Sequence, residues 1–175
     1  MHRKLKILFL LAIFSLAVVF ALNYLMLQRP LTKIIDSDYR NAGIDLSAHY
    51  GNYISPSILV INVNQIDPNK SPMDVFRVFL QFAEKLSDKD FDSVELSSKG
   101  TLKFTLKGRY FSQLGAQYSG QNPVYTIRTF PENVYKPDGQ RAFNSWSGGL
   151  IGVVGKQMQD FSNFSEEWYI NDMSN

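Results

Sequence analysis

The sequence predicts an α+β protein: an N-terminal transmembrane helix, then a ferredoxin-like exported domain with an added C-terminal helix. Three observations carry that expectation. Residues 7–28 hold no charge and follow Arg3, Lys4 and Lys6. A β-rich run at 58–63 precedes a helical period over 72–86. Two period-2 runs, at 93–97 and 101–107, flank a short turn containing Gly100.

The first segment has the length of a membrane span, since about 20 mostly apolar residues cross about 30 Å of hydrocarbon. Ser15, Asn23 and Tyr24 are its polar interruptions, and Arg29-Pro30 closes it. A cleaved signal has a shorter apolar stretch, about 7–15 residues, and then a small-x-small site. Val19-Phe20-Ala21 offers such a site, but the apolar run goes on through Leu25, Met26 and Leu27. Residues 7–28 are therefore expected to remain as an anchor, or as an uncleaved signal. The basic flank keeps residues 1–6 as a cytoplasmic tip, too short for a domain, and exports the chain from Arg29 onward.

Beyond the anchor lie about 147 residues, the size of one domain. They carry all 16 acidic residues and 15 of the 18 basic ones, a charge near −1. Such a balance argues against a nucleic-acid partner. The chain has no cysteine, which excludes a disulfide framework, a thiol nucleophile, cysteine-ligated zinc and a lipidated cysteine. Export without disulfides points to a bacterial envelope. The expected location is the inner (cytoplasmic) membrane, single pass, with the C-terminal domain periplasmic or extracellular.

Residues 29–54 read as a connector. Leu31, Ile34 and Ile35 extend the helix by a turn or two past a kink at Pro30, and Asp36, Asp38, Asp45, Gly43 and Gly51 suggest less regular chain. The exported domain is expected over 55–175. Ile58-Leu59-Val60-Ile61 is apolar on both faces, as a central strand is. Ser71-Pro72 with Asp74 opens a helix, and Val75, Phe76, Phe79, Leu80, Ala83 and Leu86 recur at helical spacing. A hairpin then turns Val94, Leu96, Leu102, Phe104 and Leu106 inward. A short helix over 110–118 ends at Asn122-Pro123, and 124–130 reads as a fourth strand. Strand, helix, strand, strand, helix, strand is the ferredoxin-like order. Last, Leu150, Val154, Met158, Phe161, Ser165 and Trp168 form an apolar stripe on a helix that closes the sheet or meets a partner chain. This architecture resembles that of the small inner-membrane subunits of secretion and pilus assembly platforms. The resemblance rests on element order, and it implies a role in assembly.

Chemical signals are sparse. His2 and His49 are the only histidines, too few for a common zinc set, so no catalytic residue, metal ligand or cofactor is expected. Gly148, Gly149, Gly152 and Gly155 precede Lys156, but Leu150 and Gln157 break the phosphate-loop pattern, leaving close helix packing as the account. Asp88, Asp90 and Asp92, mixed with Lys85 and Lys89, read as a solvated helix end. The candidate working surface is the aperiodic stretch 128–146, with Arg128, Glu132, Tyr135, Arg141 and Trp146 as binding residues. Long loops are often functional, and Arg, Tyr and Trp are enriched at energetic centres of interfaces. The expected function is that of a non-catalytic envelope protein that binds a protein partner or forms a homo-oligomer. The alternative is an envelope enzyme or small-ligand domain with a pocket under the 131–149 loop.

Overall fold

The structure is a computed structural model that describes residues 2–147 and 150–173. Helix α1 (His2–Asn23) continues through a π-turn (Tyr24–Gln28) into α2 (Arg29–Ser37). From Lys4 to Ser37 this is one helix, long and apolar enough to cross a membrane. Pro30 accounts for the π-turn. It has no N–H to offer and crowds the carbonyl four residues back, so the wider turn forms and the Arg29 N–H bonds the Tyr24 carbonyl.

Four strands form one sheet in the order β1 (Ile44–Gly51), β2 (Ser55–Ile66), β3 (Ser93–Ser98), β4 (Thr101–Lys107). β1–β2 and β3–β4 are antiparallel, and β2–β3 is parallel. The parallel pair needs a crossover, which α3 (Pro72–Lys85) supplies. It starts at the N-cap read from sequence, which closes a capping box: Ser71 Oγ accepts from the Asp74 N–H at 3.3 Å, and Asp74 accepts from the Ser71 N–H at 3.0 Å.

Two expectations fail. The segment read as a connector contains β1, where buried Leu46 and Ala48 alternate with half-buried Ser47 and His49. The segment read as a fourth strand is helix α5 (Pro123–Thr129). Asn122 caps it, accepting from the Val124 N–H at 2.9 Å, and Pro123 occupies its first turn. Those start signals outweigh the β propensity of Val124, Tyr125 and Ile127. The sheet thus gains a strand at its beginning and loses one at its end, so the ferredoxin-like order is not the one found. The likeness to assembly-platform subunits rested on that order and loses its basis.

One face of the sheet carries the core. Helices α3, α4 (Gly108–Gln117), α5 and α6 (Leu150–Ser165) lie over it. Phe76, Phe79, Phe130, Phe161, Phe164 and Trp168 meet largely edge to face, as at Phe76–Phe130 (4.8 Å, 70°) and Phe130–Phe164 (5.0 Å, 67°). α6 closes this chain's own core. Trp168, in the π-turn Glu166–Ile170 that follows it, donates its indole N–H to the Ser97 carbonyl at 3.1 Å. The last described element is α7 (Asn171–Met173), where Asp172 pairs with Lys103 at 2.9 Å. Close backbone approach does occur, but elsewhere than expected. A Cβ on Gly115 would stand 2.1 Å from the Ala83 carbonyl oxygen, whereas Gly152 and Gly155 face open space. Gly148 and Gly149 lie outside the described residues.

Candidate functional site

The opposite face of the sheet is largely polar, and among the described residues the N-terminal helix is what stands against it. Strand register sets its pattern: His49, Val60 and Glu95 form one row across β1, β2 and β3, while Ser47, Asn62, Ser97 and Leu102 form the next. A bulge at β4, where Lys103 is skipped in the pairing, brings Leu102 onto this face. Asn62 organises the second row. Its Oδ1 accepts from the Gly100 N–H at 2.8 Å, and its Nδ2 donates to Asn64 Oδ1 at 2.6 Å. Asn64 in turn donates to Asp45 at 3.1 Å.

The helix forms the facing wall. Phe20, Asn23, Tyr24 and Gln28 stand opposite the rows and enclose, with Asn52 and Tyr53, a groove of about 770 Å³. Its lining is rich in amides, hydroxyls and aromatic rings, with Glu95 and His49 as the ionisable side chains and no Lys or Arg. Such a lining can hydrogen-bond a neutral polar ligand or an extended backbone, and it offers a phosphate no cation. His49 and Glu95 are two strands apart, about 10 Å at the usual interstrand spacing, and so do not form an acid–base pair.

The helix also seals the outer edge of β1. Asn23 Oδ1 accepts from the Tyr50 N–H at 2.7 Å, and its Nδ2 donates to the Tyr53 and Val19 carbonyls, each at 2.8 Å. Gln28 Oε1 accepts from the Ala48 N–H at 2.8 Å. Beside them Leu27 and Leu31 are fully buried in the core. Further along, buried Asn41 donates to the Ile34 carbonyl and to Gln81 of α3, both at 3.1 Å, and accepts from Arg77 at 3.0 Å. The helix is therefore fastened at three levels. The β4 edge is covered too, because Tyr135 exchanges both backbone bonds with Thr105, at 2.8 and 2.9 Å.

Of the five residues singled out from sequence, Arg128, Glu132 and Trp146 are tied to α6 on the helical side of the sheet, while Tyr135 pairs with Thr105 at the β4 edge beside Arg141; none of the five lines the groove. Arg128 donates to Gln157 at 2.9 Å, and Gln157 donates to Glu132 at 3.0 Å, which ties α5 and the following turn to α6. Arg141 donates to the Glu132 carbonyl at 2.7 Å and lies over the Tyr135 ring at 6.0 Å. Trp146 stands apart, donating to Asp160 at 2.6 Å with Lys156 over its ring at 4.3 Å. Four of the five thus form one connected set that holds the loop to the last helix.

Sequence reasoning missed Asn23, Gln28, His49 and Asn62. A signal existed for the first: a carboxamide within an apolar span is expensive and marks a working position, and Asn23, Leu27 and Leu31 recur at one-turn spacing. No protein-family model, curated protein or solved structure matches this chain.

Proposed function

We propose that the chain is a single-pass, membrane-anchored and non-catalytic protein of the bacterial inner membrane. Its N-terminus is cytoplasmic, and its exported α+β domain binds another protein or a second copy of itself in an assembly. The observation that carries this reading is the three-level fastening of the apolar helix to the domain. A rigid joint fixes which surface the domain presents relative to the bilayer, which matters for a partner held in the same membrane. The fastening also supports retention of the helix. Cleavage after Ala21 would cut two residues before Asn23 and break its bond to the Val19 carbonyl.

The test is crosslinking in intact cells from photoreactive residues at exposed Asn144 and Asn64, with fractionation of the same cells. Full-length protein in the membrane fraction and a discrete protein adduct are expected. A soluble chain beginning near Leu22 refutes the anchor, and monomer alone from both positions refutes the partner. A second reading, small-ligand binding, is favoured by the convergence of Asn23, Asn62 and Asn64 on the groove. It moves the ligand site from beneath the 131–149 loop to the polar face. An adduct of low mass from Asn64 alone would select it.

A further inference from the structure

We infer that the β1–β2 turn sits in the outer-leaflet interface of the bilayer, so that the domain is seated in the membrane rather than held above it. The inference rests on the anchor reading and adds to it a depth and a contact surface.

Length is the first argument. From Ile7, the first residue after the basic flank, to Phe20 the helix rises about 20 Å at about 1.5 Å per residue. The Phe20 ring lies 5.6 Å from that of Tyr53 in the turn. Hydrocarbon is about 30 Å thick, and tilt shortens the reach of the helix further. Counting instead from Leu5, with Lys4 and Lys6 snorkelling to the cytoplasmic surface, gives only about 23 Å. The turn therefore meets the bilayer at or below the level where hydrocarbon ends.

The turn is built for that place. Tyr53 is 44% exposed and Ile54 73% exposed, with Tyr24 outward beside them, an interfacial aromatic next to an aliphatic tip. Residues 46–66 contain no Asp, Glu, Lys or Arg. Part of the turn's backbone is satisfied internally, which lowers the cost of lipid contact. The Tyr53 N–H bonds the Tyr50 carbonyl at 2.8 Å, the Ile54 N–H bonds the Gly51 carbonyl at 3.1 Å, and Asn23 donates to the Tyr53 carbonyl. Asn52 and Tyr53 hold φ of +47° and +64°, positions that hairpins usually give to Asn and Gly. A tyrosine in the second position bears a steric cost, and its ring stacks on His49 at 4.1 Å and reaches the helix at Phe20. With the turn so placed, the groove opens at headgroup level.

The chain has no cysteine, so single cysteines report cleanly. Ile54→Cys, Leu16→Cys and Asn144→Cys in the full chain would each carry an environment-sensitive fluorophore. The proteins would then be reconstituted in vesicles with or without nitroxide lipids, and challenged with aqueous iodide. The label at 54 is expected to shift to the blue, lose emission to a shallow nitroxide and resist iodide. The label at 144 should do the reverse, and that at 16 should respond only to lipid. Iodide quenching at 54 without lipid quenching overturns the seating, while lipid quenching at 16 keeps the anchor. No lipid quenching at 16 overturns both.

Discussion

Replacing Asn23 with leucine keeps the helix and most of the side-chain volume but removes three hydrogen bonds. The Tyr50 N–H and the Tyr53 carbonyl lose the partners that Asn23 gives them at 2.7 and 2.8 Å, and Asn23 itself is 5% exposed. Leaving a buried polar group without its partner costs about 1–3 kcal/mol. The groove lets water reach one side of the seal, so the two groups together should cost about 2–4 kcal/mol. For a chain of this size about 1 kcal/mol moves Tm by about 2–4 °C, so N23L should melt roughly 4–16 °C lower in detergent. Hydrogen exchange locates the effect, because the Tyr50 amide should lose protection while amides of β3 keep theirs. Ser15→Leu is the control, since the Ser15 hydroxyl bonds only the Leu11 carbonyl on an exposed face. A variant within about 0.5 kcal/mol of the parent, with the Tyr50 amide still slow, would refute the claim that the helix closes the sheet edge.

Gly115→Ala should destabilise by about 1–3 kcal/mol or more through collision with the α3 backbone at Ala83, whereas Gly152→Ala, facing open space, should be neutral or gain up to about 1 kcal/mol in denaturant unfolding. Ser71→Ala should cost about 1 kcal/mol as a lost N-cap. The Ser71 hydroxyl is the main reason the Asp74 carboxyl is held down to about 2 from 3.8, and the Arg40 side chain likewise holds Asp38 at about 2. Carboxyls so depressed add stability above pH 3.8 that is lost as pH falls toward 2, and acid titration of unfolding should show S71A with a shallower loss. Trp168→Ala should cost about 3–5 kcal/mol by emptying the centre of the aromatic cluster and orphaning the Ser97 carbonyl, read as the largest Tm loss of the set.

Local signals with one meaning were legible in the sequence. Ser71-Pro72-Asp74 could only open a helix, and the alternation around Gly100 could only make a hairpin; both stand. β1 was hidden because its pattern is short and its polar residues looked like a linker. Ser47 and His49 face a groove that is wet yet enclosed, so the alternation gives no contrast between apolar and charged positions. At 124–130 two local codes conflicted, and the cap prevailed over β propensity. The Arg128–Gln157–Glu132 chain needed a glutamine that lies 25 residues beyond Glu132, and no local pattern announces such a partner.

Asn23 makes the same point from the opposite direction, because its meaning changes with the solvent assumed for the helix. Taken as part of a span, it is a blemish in an apolar run. Taken as part of a fold, it is, with Gln28, a carboxamide that both accepts from and donates to an open strand edge. Leucine at Leu27 and Leu31 would serve either role, so those residues decide nothing. The π-turn settles how one helix does both jobs. By widening the turn at Tyr24–Gln28 it sets Gln28 toward the Ala48 N–H while Leu27 and Leu31 stay in the core. Below the turn every large apolar side chain from Leu5 to Phe14 is exposed, and above it the helix belongs to the core. Pro30, which sequence alone marks as a kink, works instead as the device that rotates the long apolar helix into a sheet edge.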